Sequence, residues 1–129
     1  IRMLDLNIQE NWKKATGSTN IPYLGVAAHV DWAEKTKNLI PKLYNAYKQA
    51  AAWVTANPDD AAKLIASKGT DDDRKAIADL IRANDRRGMN LRPAAEVGKE
   101  IKAVYDAGRS IAFLPSDPSP ATIYQGPVK

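Results

Sequence analysis

The chain has 129 residues, which suits one compact domain, and 44% hydrophobic content is ordinary for a water-facing globular protein. No run approaches the roughly 20 apolar residues needed to span a bilayer. The absence of cysteine excludes disulfides and thiolate metal sites. A formal charge of +4 and a pI near 9.3 raise nucleic acid as a partner. The basic residues are scattered, however, and only Arg82, Arg86, Arg87 and Arg92 cluster, among Asp71, Asp72, Asp73, Asp79 and Asp85. Interleaving of both signs is the pattern of a mildly basic solvated surface.

In chain order, Ile1 to Leu6 alternates apolar and polar residues and reads as a short strand. Asn11 to Asn20, with Gly17, Ser18 and Thr19, has loop composition. Ile21 to Ala28 is apolar and flanked by breakers, the pattern of a buried strand, with Pro22 tolerable only near its start. Asp31-Trp32-Ala33-Glu34 fits a capping box opening one helical turn. Leu39, Leu43, Tyr47, Ala50, Ala51 and Val54 recur at threes and fours and predict a long amphipathic helix to about Ala56. Trp53, near its end, is expected to be buried against the next helix.

Asn57-Pro58 then restarts the chain. Asn57 is expected to cap a second helix with its side-chain oxygen, Pro58 suits the first helical position, and Asp59 and Asp60 suit the positive end of the helix dipole. That helix has Leu64 and Ile65 as its inward pair and Gly69 as its stop. Thr70 and three aspartates open a third helix with Ile77, Leu80 and Ile81 inward and Gly88 closing it. A fourth begins at Pro93, with Val97, Ile101, Val104 and Tyr105 on one face and Gly108 as its stop. Beyond Leu114, four prolines make an irregular tail.

Motifs that carry chemistry are sparse. Asp71-Asp72-Asp73 lacks the alternating spacing of a calcium loop and reads as an acidic first turn. His29, the single histidine, cannot build a multi-histidine zinc site. Nucleophile-elbow and phosphate-loop motifs are missing. The expectation is therefore a protein that is not an enzyme and carries neither cofactor nor metal.

The ordered combination of Ile21-Pro22-Tyr23-Leu24-Gly25-Val26-Ala27-Ala28, Asp31-Trp32-Ala33-Glu34-Lys35 and the helix restart at Ala50 to Ala62 resembles the C-terminal part of ABC-importer solute-binding proteins. The branch is the nitrate, sulfonate, taurine and pyrimidine-precursor binders, and the resemblance runs from about Ile1 to Phe113. It implies an α/β, strongly helix-dominated piece of a two-lobed fold, with one or two strands followed by about four helices. Residues 1–19 would end the second lobe, 20–114 would hold the interlobe crossover and the C-terminal helices of the first, and 115–129 would form the tail. Since such binders are more than twice this length, the chain is expected to be part of a longer protein. The resemblance further implies a periplasmic or lipoprotein-anchored location, a small anionic or zwitterionic solute, a membrane permease as partner, and Thr19, Asn20 and Tyr23 as ligand-contacting residues. The apolar stripes left uncovered predict a homodimer or exchanged dimer. The alternative reading is a helical nucleic-acid-binding or protein-interaction domain, motivated by the arginines.

Overall fold

The computed structural model of the protein describes residues 6–22, 24–83 and 90–128. Among them there is no strand: the fold is helical, which corrects the α/β expectation. Six α-helices are present in the described residues: α1 (Ile8–Thr16), α2 (Val30–Lys35), α3 (Ile40–Ala56), α4 (Pro58–Ile65), α5 (Asp71–Ala83) and α6 (Gly98–Ser110). Short 3-10 turns occupy Lys37–Leu39, Ala94–Val97 and Pro120–Thr122. The chain divides into two compact units, one of Ala28–Leu91 with Pro127–Lys129, the other of Ile1–Ala27 with Arg92–Gly126.

The expected strand over Ile21–Ala28 is irregular backbone wherever it is described, with Leu24 81% and Val26 60% exposed. A strand is stable only when its backbone groups pair with a neighbour, and no such neighbour exists among the described residues. Most of the expected strand over Ile1–Leu6 lies outside the described residues. The loop expected from Asn11 is also corrected, because α1 runs through to Thr16. The signal was present in the sequence: Ile8 and Trp12 are spaced i,i+4, Lys14 pairs with Glu10 at 3.1 Å, and Gly17 takes the left-handed φ of 76° that ends the helix.

In the unit built on Ala28–Leu91, the centre is an antiparallel pair. Helices α4 and α5 pack extensively on each other, with α3 against both. Ala61, Ala62 and Ala78 are each 1% exposed and, with Pro93, are the buried apolar residues among those described. Small side chains on both helices allow close backbone approach. This reverses the expected faces of α4, since Leu64 and Ile65 are 70% and 60% exposed. On α5, Ile77 and Ile81 are half-buried as the spacing suggests, whereas Leu80 is exposed.

Hydrogen bonds fix both ends of this hairpin. At the turn, Arg74 donates from Nε to the Ala66 carbonyl (3.2 Å), from Nη2 to the Ser67 carbonyl (3.3 Å) and from Nη1 to Asp71 (2.9 Å). A cation on the carbonyls just past α4 complements the helix dipole, and it adds to the Gly69 amide, which donates to the Ala66 carbonyl at 2.9 Å. At the open end, the Arg82 guanidinium bonds the Asp59 carboxylate in the first turn of α4.

Caps explain the helix boundaries. Thr70 and Asp73 form a reciprocal box: the Asp73 carboxylate accepts from the Thr70 amide and hydroxyl, each at 2.8 Å, and the Asp73 amide donates back to Thr70 Oγ1 at 3.2 Å. The Thr70 amide, joined by its hydroxyl, holds the Asp73 carboxyl below the usual carboxylate range, and Asp79 is lowered by its hydrogen bond from Lys75. A carboxyl depressed in the folded state stabilises above its unfolded pKa and loses that contribution as pH falls through the folded value. Thermal melts should therefore be level above about pH 4 on this account and decline below it. Asp73→Asn should make that acid decline shallower, whereas an unchanged profile would contradict the cap.

Two other caps depart from expectation. The Asn57 side chain does not cap α4. Its Nδ2 donates to the Trp53 carbonyl at 2.9 Å, alongside the Asn57 amide, so it closes α3 instead. Nor does Asp31 begin α2: that helix starts at Val30 with His29 as its flanking residue and no side-chain cap.

In the other unit, α6 presents Ile101, Val104 and Tyr105 as half-buried residues, and Val97 in the preceding turn is half-buried too. Gly108 lies inside α6 rather than ending it. The helix closes in a Schellman motif, with the Phe113 amide on the Gly108 carbonyl (2.9 Å) and the Ala112 amide on that of Arg109 (3.0 Å). A Cβ at Gly108 would lie 3.2 Å from the Leu114 side chain, which would have to shift by a few tenths of an ångström to admit it. The left-handed position belongs to Ala112, at φ 57°. A Cβ in that region costs about 1–2 kcal/mol. Ala112→Gly is expected to stabilise the protein by roughly 1 kcal/mol in urea unfolding, the relief of strain being partly offset by the freer unfolded chain. A loss of stability would contradict the motif.

Candidate functional site

Thr19 and Asn20 lie in the turn that follows α1, and both are exposed. Gly17 reverses the chain, and Ser18 Oγ accepts the Asn20 amide at 3.1 Å, a serine turn that needs no neighbouring element. The Trp12 indole N–H reaches forward from α1 to the Asn20 carbonyl at 3.1 Å. The turn is thus tied to its helix through backbone atoms, which leaves the Thr19 hydroxyl and Asn20 amide presented to solvent. Tyr23, the third expected contact residue, lies outside the described residues. Geometry therefore brings Thr19 and Asn20 together as neighbours on one turn, without enclosing them.

A second concavity was not anticipated. An open groove of about 490 Å³ lies along α3 and is lined by Lys48, Ala51, Ala52, Thr55, Ala56, Asn90 and Leu91. The apolar lining residues are Ala51, Ala52, Ala56 and Leu91, and the polar ones are Lys48, Thr55 and Asn90. The Thr55 hydroxyl already donates to the Ala51 carbonyl at 2.9 Å. The residues responsible are spaced i, i+1, i+4, i+5 from Ala51, on a different side of α3 from Leu43. Attention to the large apolar residues conceals such a row of small ones.

The acidic trio is absorbed by helix chemistry. Asp71 pairs with Arg74, Asp73 caps with Thr70, and no cluster among the described residues groups three potential metal ligands. His29 stands exposed at the start of α2. No helix of the described residues is long and apolar enough to cross a membrane.

Two of the four clustered arginines are engaged by carboxylates. Arg82 pairs with Asp59 and with Asp79 at 3.2 Å, and Arg92 lies 3.5 Å from Glu96. The Asp59 hydrogen bond holds Arg82 above its already high ordinary value. Arg86 and Arg87 lie outside the described residues. Guanidinium groups already paired would have to exchange a carboxylate for a phosphate, with little net gain. Duplex DNA is expected to bind no tighter than about 10 µM at physiological salt, within the non-specific range. A sequence-selective gel shift at nanomolar protein would contradict this.

Trp32 and Trp53 are 41% and 43% exposed. The expected burial of Trp53 is thereby corrected: α4 turns away after Asn57 and offers its alanines to α5 rather than a pocket to the indole. Comparison with known proteins adds nothing to these observations, since no family model, curated protein or solved structure matches the chain.

Proposed function

We propose that the chain is the C-terminal portion of the solute-binding component of an ABC importer. It would serve capture of a small anionic or zwitterionic solute, of the sulfonate, nitrate, taurine or pyrimidine-precursor class, and its delivery to a membrane permease. The observation that carries this reading is the number of large apolar side chains that the helices of residues 28–91 leave exposed. Leu43, Tyr47 and Trp53 on α3, Leu64 and Ile65 on α4 and Leu80 on α5 are all more than a third exposed. A helix that leaves leucine and aromatic residues exposed along one side, as α3 does with Leu43, Tyr47 and Trp53, is suited to being covered.

In this reading the remainder of the component supplies the cover. The sequence supports the class: an apolar segment, Asp31-Trp32, a long amphipathic helix and an Asn57-Pro58 restart follow in the order that these binders use. Both helices flanking that restart are present, ending at Ala56 and beginning at Pro58. The exposed turn at Thr19 and Asn20 is accessible to a ligand held between this chain and the rest of the protein. Solute would stabilise the closed state over the open one by its differential affinity, and the closed state would meet the permease. The component works outside the cytoplasmic membrane and performs no catalysis.

The test is thermal unfolding of the protein made from its complete gene, with nitrate, taurine, an alkyl sulfonate and a hydroxymethylpyrimidine added in turn. At a hundredfold excess over Kd, linkage adds about 2.7 kcal/mol, enough to raise Tm by several degrees. One solute of the panel should do so, and the 129-residue chain alone should respond weakly or not at all. If none of the four shifts the transition, the reading fails.

A further inference from the structure

Between α1 and α2 the chain leaves one compact unit at Ala27 and enters the other at Ala28. Residues 24–30 are all exposed. Residues 24–28 are irregular backbone, and none of their amides or carbonyls has a hydrogen-bond partner among the described residues. We propose that this segment is a proteolytic processing site, at which an endopeptidase with a small apolar specificity pocket hydrolyses the bond between Ala27 and Ala28.

A cleft that takes an extended peptide holds it by main-chain hydrogen bonds and reads alternate side chains in pockets. A segment paired within a helix or turn must open first, whereas residues 24–28 already offer their backbone groups. Both ends of the window are set by the fold. Ile21 and Pro22 are half-buried on one side. On the other, the His29 carbonyl accepts the Ala33 amide at 3.0 Å in the first turn of α2. A cut after Ala27 keeps Leu24 through His29 in the cleft and leaves α2 intact, while a cut further along would draw Val30 out of its helix. The remaining irregular stretches are held more firmly. Arg74 ties the turn after α4, the Phe113 and Leu114 amides close on Gly108 after α6, and prolines interrupt the tail.

Composition selects the class of protease. No Lys, Arg, Asp or Glu occurs between Lys14 and Asp31, so an enzyme that reads charge has nothing to recognise there. Gly25, Ala27 and Ala28 are small, and the Ala27 methyl suits the small pocket of an elastase-type enzyme. Leu24 and Val26 fall on one side of an extended strand, where two shallower apolar pockets can take them. Water completes the reaction. The amide C–N bond breaks, the Ala27 carbonyl carbon gains the oxygen of water and the Ala28 nitrogen its protons, leaving a carboxylate and an ammonium. The cut severs α1 and the turn of Thr19 and Asn20 from the helices of residues 28–91. It does not rest on the solute reading, whose thermal test uses uncut protein, so either can fail alone.

The test digests the folded chain with a trace of elastase and reads the products by mass spectrometry. The rate is compared with that of a synthetic peptide covering residues 21–31. The first products should be residues 1–27 and 28–129, formed within about tenfold of the peptide's rate because no opening step precedes the cut. Were global unfolding required, the chain would lag the peptide by about a thousandfold or more. Ala27→Asp, a charge that a small apolar pocket excludes, should abolish the cut at this bond with unchanged helical circular dichroism. The protein made from its complete gene should be cut at the same bond. A first cut elsewhere, a lag of that size, an Ala27→Asp chain still cut here, or a complete protein resistant at this bond would overturn the proposal.

Discussion

Replacing Ala78 with leucine is expected to destabilise the unit of residues 28–91 by about 2–3 kcal/mol, near the upper end for overpacking a close-packed site. Ala78 is 1% exposed, as are Ala61 and Ala62 on the helix that α5 packs against. Three added carbons have no space unless α4 and α5 move apart, and moving them apart pulls Arg82 from Asp59 and Arg74 from the carbonyls of Ala66 and Ser67. Ala78→Gly is the informative companion. It should cost roughly 1–2 kcal/mol, from helix propensity and the loss of one buried methyl, with no clash created. Urea unfolding followed at the helical signal separates the two. A leucine variant within about 0.5 kcal/mol of wild type, the range of ordinary surface substitutions, would show that the two helices do not meet closely at this position.

The second large effect is expected from Arg74→Ala. Arg74 is two-thirds covered and makes three hydrogen bonds, two of them to the Ala66 and Ser67 carbonyls in the turn after α4, the first of which also accepts the Gly69 amide. Charge-assisted bonds of this kind contribute about 1.5–3 kcal/mol when well shielded. Since Asp71 is almost fully exposed, its share is small, and the net loss should be about 1.5–2 kcal/mol. Arg74→Lys should recover less than half, because one ammonium cannot span the Ala66 and Ser67 carbonyls as the guanidinium fork does. Equal stability of the lysine variant and wild type would show that charge alone, and not geometry, closes the turn.

The starts of α3, α4 and α5 were legible because periodicity and punctuation agree there, whereas α6 begins at Gly98 after a 3-10 turn rather than at Pro93, and the Gly88 expected to close the third helix lies outside the described residues. Leu43, Tyr47, Ala50 and Val54 mark α3, Pro58 marks the start of α4, and Thr70 with its aspartates marks that of α5. What periodicity did not convey is which side of each helix meets protein. On α4, hydrophobicity favoured Leu64 and Ile65, yet an eight-residue helix in a tight hairpin buries the residues that permit the closest approach, and those are alanines. The strand at Ile21–Ala28 failed for a different reason. Apolar composition makes a segment suited to a sheet, but pairing is a property of two segments, and no second one occurs among the described residues.

Local chemistry was misread at three further points. Loop composition at Gly17 to Asn20 hid the helix that ends there, although Ile8, Glu10, Trp12 and Lys14 already carried its spacing. Asn57 has one side chain to offer two helix ends, and it donates to Trp53 rather than accepting from α4. Gly108 looked like a stop, whereas Ala112 takes the left-handed position and Gly108 makes room for Leu114. Of the candidate site, the turn at Thr19 and Asn20 could be read from composition. The groove along α3 could not, because most of its α3 lining, Lys48, Ala52, Thr55 and Ala56, lies off the apolar stripe that marks the helix.

The central claim is that the apolar face of α3 is built to be covered by the rest of a solute-binding component. Oxidative footprinting of Tyr47 and Trp53 tests this most directly, comparing the 129-residue chain at monomeric dilution with the protein from its complete gene. The account predicts ready oxidation of both side chains in the former, where they are 48% and 43% exposed, and strong protection in the latter. Equal oxidation of both residues in the two proteins would contradict it.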